Sequence, residues 1–229
     1  MKLGIMQPYF MPYIGYWQLM AAVDTYVVYD DVNYIKGGWV SRNNILLNGQ
    51  KHMFTITLNG ASPNKLFNEI TIKDDFKKFS RLIESAYRKA PYYTEVSALL
   101  DKIYNYEDKS LGAFILHSFQ VVLDYLEIDT KLVLSSTIEK DNDLRGKDKV
   151  KHICQLLGAD TYYNAIGGQE LYDKNDFKAD GIDLHFVKTE LSPYPQLNNE
   201  FVPGLSMIDV LMFNNPIKVK QLLTNYKLI

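Results

Sequence analysis

Short apolar runs alternate with amphipathic stretches along the chain, and that alternation predicts an α/β protein. Residues 2–7 read as a buried strand, and 14–22 carry apolar side chains at helical spacing behind Pro12, which suits a helix entrance. The β-branched and aromatic run Thr25-Tyr26-Val27-Val28-Tyr29 breaks off at Asp30-Asp31 and predicts a second buried strand, parallel to the first. From 39 to 58 two runs flank Asn48-Gly49, a dipeptide favoured at two-residue hairpin turns. After a polar loop at 59–64 and the strand-like Glu69-Ile70-Thr71-Ile72, the periodicity predicts helices over 75–88, 94–106 and 109–127. Strands are expected at 132–134, 161–164 and 183–187, a helix at 142–157 ending at Gly158, and helices at 205–213 and after Pro216.

The pattern implies an open, mostly parallel Rossmann-like sheet of about five strands. It reads as one α/β domain over 1–229, with a β-hairpin insertion at about 39–58 and a helical insertion at about 75–128. Such sheets bind ligands beyond the carboxyl ends of their strands. Those ends are Gln7-Pro8, Asp30-Asp31, Ser135-Ser136 and residues 164–168.

Composition removes several function classes. No apolar run approaches the roughly 18 to 20 residues of a membrane span, and Gln7-Pro8 cuts short any secretory leader. The single cysteine, Cys154, excludes an internal disulfide, sits in an apolar helical pattern and reads as a core residue, so the expected compartment is the cytoplasm. With a formal net charge of −2 and dispersed basic residues, no nucleic-acid partner is expected. Histidines 52, 117, 152 and 185 lack ligand spacing, so no protein-only metal site is expected. The 17 tyrosines and 11 phenylalanines suit a cleft for a polar organic ligand, or reflect a compositional bias of the genome.

Three segments concentrate chemistry. The turn from Gln7 to Tyr16 has two prolines, Gly15 and the aromatics Tyr9, Phe10, Tyr13 and Tyr16; it reads as a rigid wall bearing one amide, or as a structural turn. The loop from Asp30 to Asn43 packs in Asp31, Tyr34, Lys36, Gly37-Gly38, Trp39 and Arg42. Adjacent carboxylates suit a general base, an amine or Mg²⁺, and Arg42 suits a phosphate or carboxylate. An ion network closing the loop fits the same residues. Gly167-Gly168, near Tyr172, can present backbone N–H groups to an anion or form a plain turn.

The combination of Gln7-Pro8, Pro12 and Gly15-Tyr16 with Asp30-Asp31-Val32, Tyr34, Lys36, Trp39 and Arg42-Asn43 resembles the bacterial WbqC-like family. Tyr87, Ala90-Pro91-Tyr92-Tyr93, Leu157-Gly158-Ala159-Asp160, Gly167-Gly168 with Tyr172, and Leu205-Ser206-Met207-Ile208-Asp209 extend the resemblance over nearly the whole chain. Many members carry His-Gln-Pro where this chain has Met6-Gln7-Pro8. The resemblance implies a cytoplasmic protein encoded with O-antigen, lipopolysaccharide or capsule genes. It implies a transferase moving an acyl or aminoacyl group to an amino sugar on a nucleotide carrier. Asp30 or Asp31 would then be the base, Gln7 with backbone N–H groups the oxyanion donors, and Arg42 with Lys36 the diphosphate anchor. Tyr9, Pro12, Tyr16, Tyr34, Trp39, Asn43, Gly167, Gly168 and Tyr172 would complete the ligand contacts. The donor expected from this reading is an acyl thioester, on coenzyme A or an acyl carrier protein.

The opening strand–turn–helix also resembles nucleotidylyltransferases of the HIGH type, with Gly15-Tyr16 in the place of Gly-His. Tyrosine cannot act as a cationic phosphate clamp at neutral pH, and only this alternative implies Mg²⁺. A non-catalytic binding protein for a sugar nucleotide or acyl carrier is the third reading.

Overall fold

The computed structural model describes residues 1–197 and 200–229. The N-terminal unit is β1 (Lys2–Met6), α1 (Ile14–Ala21) and β2 (Thr25–Val28), with β1 and β2 parallel and in register from Leu3↔Thr25 to Met6↔Val28. Next come the hairpin β3 (Arg42–Leu47) and β4 (Gln50–Thr55), a short antiparallel pair β5 (Leu58–Asn59) and β6 (Thr71–Ile72), and helices α2 (Lys77–Tyr87), α3 (Tyr93–Tyr104) and α4 (Leu111–Leu126). The second half runs β7 (Lys131–Leu134), α5 (Gly146–Leu156), β8 (Thr161–Ala165), α6 (Lys174–Ala179), β9 (Asp183–Thr189), α7 (Met207–Phe213), α8 (Pro216–Leu223) and β10 (Tyr226–Leu228).

The six-stranded sheet has the order β10-β9-β8-β1-β2-β7, and every pair is parallel except β9–β10. The parallel strands thus follow the Rossmann pattern, growing outward from β1 in one direction and then in the other, with the switch between β1 and β8. Alternation along the strands feeds two layers. Leu3, Ile5 and Val27 pack with Val150, Ile153 and Cys154 of α5 and Phe177 of α6, whereas Tyr26 and Val28 face the larger core formed with α1, α4, α7 and α8. Cys154 is buried in the smaller core, where burial pushes its thiol up to about 12.

The hairpin turns where Asn48-Gly49 demands it, both residues having positive φ (51° and 76°). Two expectations need correction. The sheet has a sixth strand, β10, whose three residues with an exposed Lys227 carry too little periodicity to announce an edge strand. The helix expected from 142 starts at Gly146, because the Asp141 carboxylate takes the Asp143 N–H at 2.9 Å and Gly146 adopts φ +53°. Residues 142–145 are left as a loop over the strand ends.

Candidate functional site

Beyond the carboxyl ends of β2 and β7 lies an open cavity of about 450 Å³. Its lining includes Asp31, Ser136, Lys140, Arg145 and Lys149, and α5 begins at its edge with Gly146. Pairing of Val28 with Met6 and Leu134, and the Tyr29 N–H donated to the Met6 carbonyl (2.8 Å), set the three strand ends side by side. The two aspartates diverge from there.

Asp30 is buried and absent from the cavity lining. Its carboxylate accepts the Ser136 N–H (2.9 Å) and the Ser136 hydroxyl (2.7 Å), and Ser136 is itself exposed. Burial raises the Asp30 pKa above the ordinary carboxylate value, against the pull of the Ser136 donors. Asp30 therefore meets the cavity through a serine hydroxyl. Gly112, in the first turn of α4, makes room for it, since a Cβ there would lie 2.8 Å from Asp30 Cβ and 3.0 Å from its Oδ2. Gly112→Ala should be net destabilising by up to about 2 kcal/mol, overpacking of about 1 to 3 set against a helix-propensity gain of about 1. A higher urea midpoint in that variant would refute the close packing at Asp30.

Asp31 meets Lys140 Nζ at 2.7 Å and Lys149 Nζ at 3.0 Å. The lysine side chains are 1% and 5% exposed, so the ion group is all but desolvated. Burial raises the Asp31 pKa, but Lys140, Ser135 and Lys149 outweigh it, and the net position is below the ordinary value. Lys149 Nζ also stands 5.5 Å from the Tyr29 ring centre.

The N-terminal turn is a tightly braced structure. Tyr16 donates its hydroxyl to the Gln7 carbonyl (2.6 Å), Tyr9 to Gln7 Oε1 (3.3 Å), and Trp17 its indole N–H to the Pro12 carbonyl (3.1 Å). Met11 has φ 45°, and its carbonyl accepts from Asn43 Nδ2 (2.8 Å) and the Ser206 hydroxyl (2.7 Å). At Gly15 any Cβ would run into the Thr189 hydroxyl and the Tyr13 ring. Tyr9, Pro12, Trp39 and Asn43, with Tyr13, line a separate, smaller cavity of about 250 Å³.

Arg42 lies over the Trp39 ring (5.5 Å) and donates to the Gly37 carbonyl, and Lys36 is exposed; neither lines the cavity of Asp31. Tyr34 packs edge-on to Phe67 (5.7 Å). Gly167 and Gly168 lie inside a 3-10 turn, Ile166–Glu170, rather than at the start of an α-helix. Gly168 is packed against Asn164, and Tyr172 packs edge-on to Tyr162 and Phe177. Lys140 and Arg145 carry no role in the sequence reading, and Lys147-Asp148-Lys149-Val150-Lys151 reads there as a solvated helix face, which holds for Lys147 but not for Lys149, buried against Asp31. The only signal for them was a basic, glycine-containing stretch following the strand that ends at Ser135-Ser136.

The doubly wound sheet and a cation-lined cavity beyond its carboxyl edge define a Rossmann-like protein. Within that class the chain belongs to the WbqC-like protein family, whose profile matches residues 7–221. It is 27% identical over 219 residues to the uncharacterized protein Rv1507c of Mycobacterium tuberculosis (strain ATCC 25618 / H37Rv), covering 93% of each chain. No solved structure matches it significantly. Among the described residues no helix is long and apolar enough to cross a membrane.

Proposed function

We propose that this protein is a cytoplasmic group-transfer enzyme of surface-glycan biosynthesis, acylating or aminoacylating the amino group of a nucleotide-linked sugar. One observation carries the reading: a buried carboxyl of raised pKa reaches an open cavity only through the hydroxyl of exposed Ser136. That pair is a proton relay for an incoming amine. As the amine nitrogen bonds to the acyl carbon of a thioester, its proton passes to Ser136 Oγ and the Ser136 proton passes to Asp30 Oδ2. The thiolate leaves, and takes up the proton when Asp30 gives it back. A carboxyl pKa raised above the ordinary value by burial makes Asp30 a better base than an exposed aspartate. Asp31 is held by two lysines and positions them instead. Gln7, at the adjoining end of β1 but outside the cavity lining, would supply the amide donor for the oxyanion only to a ligand that reaches past the cavity toward β1.

The test is transfer from an acyl thioester to dTDP-, UDP- or GDP-linked amino sugars, followed by mass spectrometry, after a thermal-shift screen of the same compounds. Ser136→Ala should lower kcat by about 10²- to 10⁴-fold, the usual contribution of a general base, while KM for the sugar nucleotide stays within a small factor. Wild-type rates in Ser136→Ala would remove the relay. Tight sugar-nucleotide binding by a wild-type protein that transfers nothing would make the chain a binding protein.

A further inference from the structure

We infer that the cavity between β2, β7 and α5 is a diphosphate subsite, built by Lys140, Arg145 and Lys149 around Asp31. The inference deepens the group-transfer reading and rests on it for the nucleotide-linked substrate. It begins with a charge imbalance. Three cationic side chains line the cavity against one carboxylate, and two of those cations are lysines with side chains 1% and 5% exposed. Both lysines reach the same Asp31 oxygen, at 2.7 and 3.0 Å. Asp30 is a second carboxyl group nearby, but its two oxygens accept from Ser136 and neither lysine pairs with it. Desolvated ammonium groups in excess of their counter-charge are costly, and an entering anion relieves that cost.

The surrounding geometry fits a phosphate better than a carboxylate or halide. Helix α5, eleven residues long, begins at the cavity with Gly146 and without a side-chain cap, so the positive end of its dipole lies at the cavity edge, although its first turn also carries Asp148. Arg145, at the N-cap position and exposed, adds a planar guanidinium at the rim. Its contacts within the protein are to the carbonyls of Asn142 and Leu144 in its own loop, so it carries no carboxylate partner among the described hydrogen bonds and ion pairs. A volume of about 450 Å³ exceeds what one phosphate requires and has room for a diphosphate with part of the group it carries. Asn33 and Asn68 line the same cavity, and although the Asn33 amide already donates to the Pro63 carbonyl (3.0 Å), their remaining donor and acceptor capacity suits a sugar's hydroxyls. The subsite lies one strand away from the β1–β8 switch and next to Ser136, which places a diphosphate-linked amino sugar within reach of the relay.

The experiment is isothermal titration of the full chain with pyrophosphate, inorganic phosphate, UDP and uridine. Pyrophosphate and UDP should bind saturably and in a salt-dependent manner, phosphate more weakly, and uridine weakest. Lys149→Met keeps the buried stem and leaves Asp31 paired with Lys140, and Arg145→Gln alters an exposed group whose loss does not threaten the fold. Each should weaken pyrophosphate binding about ten- to a hundredfold, the range of a charge-assisted hydrogen bond. Failure of the wild-type chain to bind pyrophosphate, or wild-type affinity in both variants, would overturn the subsite. Uridine binding as tightly as UDP would overturn it as well. If the variants lose pyrophosphate but the wild type transfers no acyl group, the subsite stands and the group-transfer reading falls. If transfer proceeds in both variants with unchanged KM for the sugar nucleotide, the subsite falls and that reading stands.

Discussion

Asp31→Asn is expected to lower the stability of the fold by about 3 to 5 kcal/mol at neutral pH, the cost of breaking a buried ion group by removing one partner. The size follows from what remains. Without the carboxylate, Lys140 and Lys149 keep side chains that are almost wholly buried and face each other across an amide. A domain of this kind has roughly 5 to 15 kcal/mol in total, so a large share is at stake. Urea denaturation will give the value. The double variant Asp31→Asn/Lys149→Met should recover part of the loss, because the second change removes one uncompensated charge. A loss in the double variant equal to the sum of the two single losses would show that Asp31 and Lys149 are not coupled.

The pH dependence of this effect has a definite sign. The folded-state pKa of Asp31 is depressed, so its ionised form stabilises the fold fully above the unfolded value, about 3.9. That contribution is lost as pH falls through the depressed folded value. The gap between wild type and Asp31→Asn should therefore narrow below about pH 4.

Elements with strong local signatures were legible in the sequence, and groupings across distant segments were not. The βαβ opening, the Asn48-Gly49 hairpin and the three helices of the insertion each carry a period or a turn residue that acts within a few positions. The strand-end aspartates could be found for the same reason, since Asp30-Asp31 stops a β-branched run. Their partners could not. Lys140 and Lys149 come from a loop and a helix more than a hundred residues further on, and they meet Asp31 because β7 pairs with β2, a fact of sheet order rather than of local pattern. Arg42, close in sequence to the aspartates, is carried to Trp39 and the hairpin instead, and Lys36 is left exposed. Tyr87 and Asp209 show the same limit. Both lie in segments that carry the family resemblance, yet nothing in either segment reveals that they form one hydrogen bond across 122 positions.

That bond makes Asp209→Ala the second large effect. Asp209 is fully buried in α7, and its carboxylate accepts from the Tyr87 hydroxyl (2.8 Å), the Tyr194 hydroxyl (2.6 Å) and Gln196 Nε2 (2.7 Å). The Tyr87 oxygen also accepts the Leu46 N–H at 2.9 Å, so the cluster joins β3, α2, α7 and the segment before it. Removing the carboxylate leaves three buried donors without this acceptor, each worth about 1 kcal/mol or more, and the loss should be about 3 kcal/mol or more. Its pH signature is opposite to that of Asp31. Burial, unopposed by any cation in the cluster, raises the folded pKa of Asp209 above the unfolded value despite the three donors. The stabilisation linked to that shift is fully present below the unfolded pKa and is lost as pH rises through the folded one. The gap between wild type and Asp209→Ala should thus widen as pH is lowered through the raised folded pKa and level off near the unfolded value, above the interval in which the gap for Asp31→Asn narrows. Denaturation midpoints of wild type and the two variants, measured from pH 7 down to about 2.5, decide the matter. Parallel curves would mean that the two carboxyl groups share one electrostatic environment, contrary to a salt-bridged Asp31 and a cation-free Asp209.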